Sequence, residues 1–574
     1  MNAIQTIITE RVDDIPLLLN QMQQMALPAL IDRHFPAHGN WQGLSLGWVS
    51  TIWLSSILSR GDHRLVHVEP WVASRLLTFC SVTGQSVERT DVTDDRLERV
   101  LRHLSDDTRW MQFENALNQH TLRVYDLSCQ RVHVDSTTAS AHSLVSEGGL
   151  FQCGHSKDHR PDLPQVKVMQ AVLAPLGMPL ATDVVSGERA DDPLYVPCIQ
   201  RVQDSLGRCG LLFVGDCKMA SRETRAFIAS RGDFYLGPLP HIQLAEDELD
   251  EAIEAISTGE HVLLPVFRKS ASADGPELIA EGCERPVSMQ VEVAGKPQHW
   301  TERRLVIRSI GHAKAAETAL RARVAKAKAQ VEALNQRGRG RKRFEEIDDL
   351  RQVVVEVVQR HQVEEFLWLR YDQRTTRQRI RAYRGRPAGG KEDRQAIVEV
   401  RVDETALEAA IRRLGWRIYS TNQPPQQLSL EQAVLAYRQE YQVERSLGRL
   451  KGRPLSLTPM YVQRDDHATG LIRLLSIALR VLTLLEFVVR RQLAAQGNAL
   501  GGLYAGNSKR ETMRPTAERL LEAFQEVTLT VIEGAQRSHR HITALSPLQE
   551  RILELLGFSA QAYTRLCDLS HEPP

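Results

Sequence analysis

The chain has 574 residues, of which 42% are hydrophobic and 25% charged, with 72 Lys plus Arg against 71 Asp plus Glu. A length of this order predicts roughly three to four domains, the composition excludes a disordered or fibrous chain, and the even charge balance names no partner by itself. The most apolar window, "LIRLLSIALRVLTLLEFVV" from Leu471, carries Arg473, Arg480 and Glu486. Their cost in hydrocarbon predicts a buried core helix and no membrane span. The start, "MNAIQTIITERVDD", has no basic region followed by an apolar run and a cleavage site, so a cytoplasmic protein is expected. Eight cysteines without a CxxC pair read as reduced structural thiols.

In chain order, residues 1–125 show apolar spacings of three to four and predict an all-helical N-terminal domain. Residues 126–239 change period. "RVHVD", "QVKVMQAVLAP" and "MPLATDVVSG" alternate as strands, "DDPLYVPCIQRVQDSLG" opens as a capped helix, "LLFVGD" is an apolar strand, and a helix and the strand "DFYLGPLP" follow. The order is β, β, β, α, β, α, β. Residues 240–428 read as a large insertion. It contains the strand candidates "WTERRLVIRS" and "GWRIYSTN", and a helical hairpin with Leu320, Val324, Ala327, Val331 and Leu334 at heptad spacing and "RGRGRKR" at its tip. Internal packing and dimerisation are both open for those heptads. In 429–495 the clearest helix, "SLEQAVLAYRQEYQVERSLGRLKGRP", starts on a Ser429/Gln432 capping box and stops at Gly452 and Pro454. Residues 496–574 are expected to form a helical C-terminal region.

Charge is uneven locally. Residues 313–344 hold ten Lys or Arg and two Glu, a net of +8, and residues 370–386 hold seven Arg and one Asp, a net of +6. Two such runs, the second interleaved with Tyr371 and Tyr383, favour a polyphosphate partner, because each neutralised phosphate releases counterions.

Right-handed crossover rules bring the first and fourth strands of the β, β, β, α, β order side by side and parallel, so Asp135 and Asp216 should emerge at neighbouring strand ends. Carboxylates that close repel unless a cation lies between them, and hard oxygen donors beside a phosphate substrate suit Mg²⁺. A third carboxylate from a helix would complete two ion sites, and Glu444 is the candidate. Tyr437, Glu444 and Lys451 stand seven and seven apart, close to two helical turns each, and should share one face.

These stretches resemble a DDE transposase of a bacterial insertion sequence: "VHVDSTT" around the first acid, "FVGDCKM" around the second and "YRQEYQVERSLGRLK" around the third. The last resembles the Tyr/Arg/Glu/Lys helix signature of a large-insertion subgroup, except that Glu440 stands where Arg is expected; Glu440 is given no role. "GHSKDHRPDLPQVKVMQAV" resembles the same subgroup. The resemblance implies an α/β fold with a ribonuclease H-like catalytic core interrupted by the insertion. It further implies Asp135, Asp216 and Glu444 as catalytic and metal residues, two Mg²⁺ ions with Mn²⁺ able to substitute, and cleavage and strand transfer at terminal inverted repeats and target DNA.

DNA-binding residues expected on the helix are Tyr437, Lys451, Arg445 and Arg449, and at the hairpin tip Arg337, Arg339, Arg341, Lys342 and Arg343. A homodimer on DNA, located on the bacterial nucleoid, is expected. The alternatives are a transposase-derived DNA binder without cleavage, and an aspartyl-nucleophile phosphatase, which usually wants a second Asp where Thr137 stands.

Overall fold

The computed structural model describes residues 4–245, 247–268, 275–293, 295–338, 342–380, 389–507, 509–534 and 538–567. Two compact units divide the chain: the first is Met1–Gly237, Met289–Trp300 and Ala436–Pro574, the second Pro238–Ser288 and Thr301–Leu435.

The first unit opens with strand β1 (Ile4–Arg11), then helices from Ile15 to Val124. Next come β2 (Arg131–Ser140), β3 (Gln165–Leu173), β4 (Met178–Ser186), a helix over Tyr195–Leu206, β5 (Leu212–Gly215), a helix over Arg222–Ser230, and β6 (Phe234–Pro238). Their spatial order is β4-β3-β2-β5-β6. β2, β3 and β4 are antiparallel neighbours, whereas β5 lies parallel to both β2 and β6. The crossover reading is thus met: helical connections carry the chain back for each parallel partner.

The apolar window folds as the helix Asp465–Gln496, buried on nearly every side. Among the described residues no helix is long and apolar enough to cross a membrane. Its charges are matched inside the protein. Arg480 bonds Glu114 at 2.7 Å and the Pro179 carbonyl at 2.8 Å, and Arg473 pairs with Asp107. Gly470 allows the close crossing with the helix Asp94–Ser105, since a Cβ there would stand 2.1 Å from the Leu101 carbonyl oxygen.

Two expectations need correction. The N-terminal region is not all helical and not self-contained, because its helices share one hydrophobic core with β2–β4, the Asp465–Gln496 helix and the C-terminal segment. The C-terminal region is not all helical either.

The second unit carries β7 (Leu264–Arg268), β8 (Glu277–Val293) up to Ser288, β9 (Lys296–Ser309) from Thr301, the helices Ile310–Leu334 and Ile347–His361, β10 (Leu367–Ile380), β11 (Gly389–Val402), a helix over Glu404–Arg412, and β12 (Trp416–Thr421). The strand order here is β12-β9-β8-β7, while β10 and β11 form a separate two-stranded ribbon. The heptad positions Leu320, Val324, Ala327 and Val331 are buried against Leu350, Val354, Val358 and the base of the ribbon, so they serve internal packing.

The chain then returns to the first unit, where β13 (Thr528–Gly534) pairs antiparallel with β1 and is followed by β14 (Ser538–Ile542) and a helix over Pro547–Leu556.

Candidate active site

Strand β2 and strand β5 run parallel in register from Arg131↔Leu212 to Val134↔Gly215, so the next residue on each, Asp135 and Asp216, follows directly at neighbouring positions. The β2 backbone fixes the first acid, because the Ser136 N–H donates to its Oδ1 at 2.7 Å. Lys157 Nζ lies 3.8 Å from the same oxygen and donates to the Ser136 carbonyl and Oγ, each at 2.8 Å. Burial pushes the Asp135 carboxyl up to about 6; Lys157 and the Ser136 N–H oppose it, and the charges of Asp216 and Glu444 add to it. Asp216 accepts the Tyr195 hydroxyl at 2.7 Å and the Lys218 N–H at 2.9 Å. Burial first, then the charges of Asp216 and Asp135, hold the Tyr195 hydroxyl well above its ordinary value, so it remains a donor.

Glu444 lies on the helix Tyr441–Lys451, which buries Val443, Leu447 and Leu450. Val443 and Leu447 pack on Val172 of β3, and Ser446 Oγ donates to Gln170 Oε1 at 2.9 Å. The opposite flank carries Arg445 and Arg449, and both are engaged by Glu486 of the long core helix, Arg445 at 3.2 Å. Arg449 also reaches Glu518 at 2.9 Å, and Glu486 in addition binds Arg490 at 2.9 Å. Arg445 and Arg449, expected at DNA, are thus engaged by acids that anchor the Glu444 helix to the core.

Lys451 does sit beside the acids' strand. Its ammonium pairs with Asp158 and donates to Thr137 Oγ1 at 3.1 Å, two residues from Asp135. Asp158 is itself fixed by the Ser140 N–H at 3.0 Å. A second pair lies nearby: Lys157 and Lys167 reach Asp191 at 3.4 and 2.6 Å. Burial works against ionisation of Asp191, yet these two lysines outweigh it and hold the carboxyl below its usual range.

The capping box forms as expected, with the Ser429 N–H on Gln432 Oε1 at 2.9 Å and the Gln432 N–H on Ser429 Oγ at 3.2 Å. The helix is not continuous, however. It runs Leu430–Tyr437, tightens to a 3₁₀ turn over Arg438–Glu440, and resumes at Tyr441. Glu444 and Lys451 keep the α-helical register, whereas Tyr437 is separated from them by a turn of three-residue period. Its hydroxyl bonds Glu440 instead. Burial pushes the Glu440 carboxyl up to about 7, the Tyr437 hydrogen bond opposes this, and the charges of Asp135, Asp216 and Glu444 add to it. A fourth acid thus lies within electrostatic reach of the other three. Its sequence signal was its place in the signature, where a cation was expected. Lys157 and Asp158 lie in the stretch "GHSKDHRPDLPQVKVMQAV", whose resemblance gave them no individual role, and Tyr195 had no signal of its own.

Three carboxylates of hard oxygen donors, each feeling the others' charge, suit a divalent cation of the Mg²⁺ type. Among the described residues no three His, Cys, Asp or Glu side chains already stand in ligating positions around one point. Asp135 is instead held by the Ser136 N–H and Lys157, and Asp216 by the Tyr195 hydroxyl, as mutual repulsion favours.

In the second unit, Arg337 lies 3.4 Å from Asp393 and 2.6 Å from Gln395 Oε1, Arg343 pairs with Asp393, and Lys342 Nζ stands 5.2 Å over the Phe344 ring. Arg339 and Arg341 lie outside the described residues.

A family model described as a transposase DDE domain matches residues 130–481. The solved cryo-EM structure of a piggyBac transposase synaptic complex with hairpin DNA matches at 9% sequence identity and a TM-score of 0.35, covering 97% of this chain and 85% of that one. No curated protein matches the chain.

Proposed function

The chain belongs to the transposase DDE domain family, and from that premise we propose that it is a metal-dependent transposase that cuts DNA at the terminal inverted repeats of an insertion sequence and joins the ends to target DNA. The observation that carries the reading is the convergence of Asp135 and Asp216, from adjacent parallel strands, with Glu444 from a helix anchored to the same core. The strand order β4-β3-β2-β5-β6 supports a ribonuclease H-like core around them.

Asp135, Asp216 and Glu444 would hold Mg²⁺, two ions in this reading, with Mn²⁺ able to substitute. Bound there, the metal would acidify a water or a 3′ hydroxyl and offset charge on the phosphodiester. The chain's own residues do the rest. Lys451 and Lys157 set positive charge beside the acids, where a phosphate can be oriented for in-line attack. The Ser136 N–H and the Tyr195 hydroxyl keep Asp135 and Asp216 oriented. Tyr437, beside Glu440, is placed to pack on a sugar or base. The basic insertion, including Arg337, Lys342 and Arg343, grips double-stranded DNA largely through phosphates, while the N-terminal helices help recognise the repeat. Joining two ends calls for a homodimer on DNA.

The test uses duplexes taken from the DNA flanking the coding sequence. Asp135→Asn should abolish cleavage and leave binding intact. Wild-type cleavage that persists undiminished in a chelator overturns the proposal.

A further inference from the structure

Past its last pairing with β5, at Val134↔Gly215, strand β2 keeps β3 on its other side only, and Asp135 is the first residue of that open edge. The edge is taken up by Lys157. Its backbone N–H donates to Thr138 Oγ1 at 2.9 Å, and its ammonium donates to the Ser136 carbonyl and Oγ at 2.8 Å each. Two carboxylates share what remains of that charge, Asp191 Oδ2 at 3.4 Å and Asp135 Oδ1 at 3.8 Å. The first distance is at the outer limit of a hydrogen bond and the second is beyond it, so Asp191 has the stronger hold.

Asp191 is itself fixed by the core. Lys167 of β3, its side chain 7% exposed, pairs with Asp191 Oδ1 at 2.6 Å and donates to the Arg189 carbonyl. The Leu194 N–H donates to the Asp191 carbonyl at 2.9 Å, in the turn that opens the helix Tyr195–Leu206, and Tyr195 is the residue that bonds Asp216. One turn, Asp191–Tyr195, thus reaches the second acid directly and the first through Lys157. Lys157, Lys167, Asp135 and Asp191 balance in charge. A divalent cation on Asp135 adds positive charge beside an ammonium already there, and like charges that close oppose one another.

We infer that Asp191 is a positioning residue that acts through Lys157: by drawing the ammonium to itself it leaves Asp135 able to take a divalent cation, a deepening that rests on the metal-dependent reading. Lys157 then keeps its place beside the acids, where a phosphate needs positive charge, without neutralising the carboxylate that a metal needs. Groups one shell out from a metal ligand set its basicity and orientation in this way.

Mn²⁺ binding to the full-length protein without DNA, followed by the electron paramagnetic resonance of the free ion and set against Asp135→Asn, tests this without any cleavage reaction. Lys157→Met should tighten the site by about tenfold and Asp191→Asn should weaken it by about tenfold. Made in the Lys157→Met background, Asp191→Asn should change the affinity by less than about twofold, an outcome that a merely structural role for Asp191 does not give. Because Asp191→Asn also leaves Lys167 buried without its acid, Lys167→Met combined with Asp191→Asn is the companion variant, and the same weakening is expected of it. Weaker binding in Lys157→Met, wild-type affinity in the companion variant, or an equal loss from Asp191→Asn with and without Lys157 would each overturn the inference. With Mn²⁺ still bound at Asp135, any of those outcomes removes only the role of Asp191; a wild-type protein that binds Mn²⁺ no better than Asp135→Asn removes the metal-dependent reading with it.

Discussion

The acid site of the first unit and the arginine-rich ribbon of the second use charge in opposite ways. Around Asp135 the carboxylates crowd one another, and Asp135 and Asp216 are each oriented by a specific donor. On the ribbon, Arg370 and Arg374 stand exposed. Burial makes position matter in the first case, since a desolvated charge is costly if its partner moves. Exposure makes number matter in the second, since screened charges act together on a phosphate backbone. The comparison teaches that catalysis and grip place different demands on the same residue types.

The contrast can be broken most forcefully from the buried side. Glu114→Ala leaves Arg480 unpaired in the interior, and should cost the first unit about 3–5 kcal/mol, read as a drop in its urea midpoint. A midpoint within experimental error of wild type would show that these buried charges are not held as argued. Lys451→Ala comes next. With the acids intact, it should slow cleavage at saturating DNA by about a hundredfold and change affinity far less. An unchanged rate removes Lys451 from the reaction. The smallest effect belongs to the exposed side: Arg337→Gln with Arg343→Gln should alter stability by less than about 1 kcal/mol. The same pair should weaken repeat and scrambled duplexes alike and make the salt slope shallower by about two. A loss confined to the repeat sequence would mean that these residues read bases.

How far the sequence reveals these regions differs for physical reasons. Asp135 and Asp216 are legible because each ends an apolar run, and chain connectivity makes those strands parallel neighbours. Glu444 is legible from its capped helix, but the 3₁₀ turn that removes Tyr437 from the register is not, since nothing local to Arg438–Glu440 forbids a regular helix. The roles of Arg445 and Arg449 depend on Glu486, distant in sequence and disclosed only by packing. β1 is missed because its partner, β13, lies at the far end of the chain. The ribbon is missed because arginine at alternating positions reads as a basic run, and the apolar alternation that marks a strand survives only at its base, in Leu367, Leu369 and Tyr371.

The pairing of β1 with β13 also sets an order in time. β1 leaves the ribosome long before its partner β13, and Glu444 is added long after Asp216. At about 5–20 residues per second, that second interval alone is on the order of tens of seconds. Throughout it the nascent chain would lack one of the three carboxylates that the proposed cleavage requires.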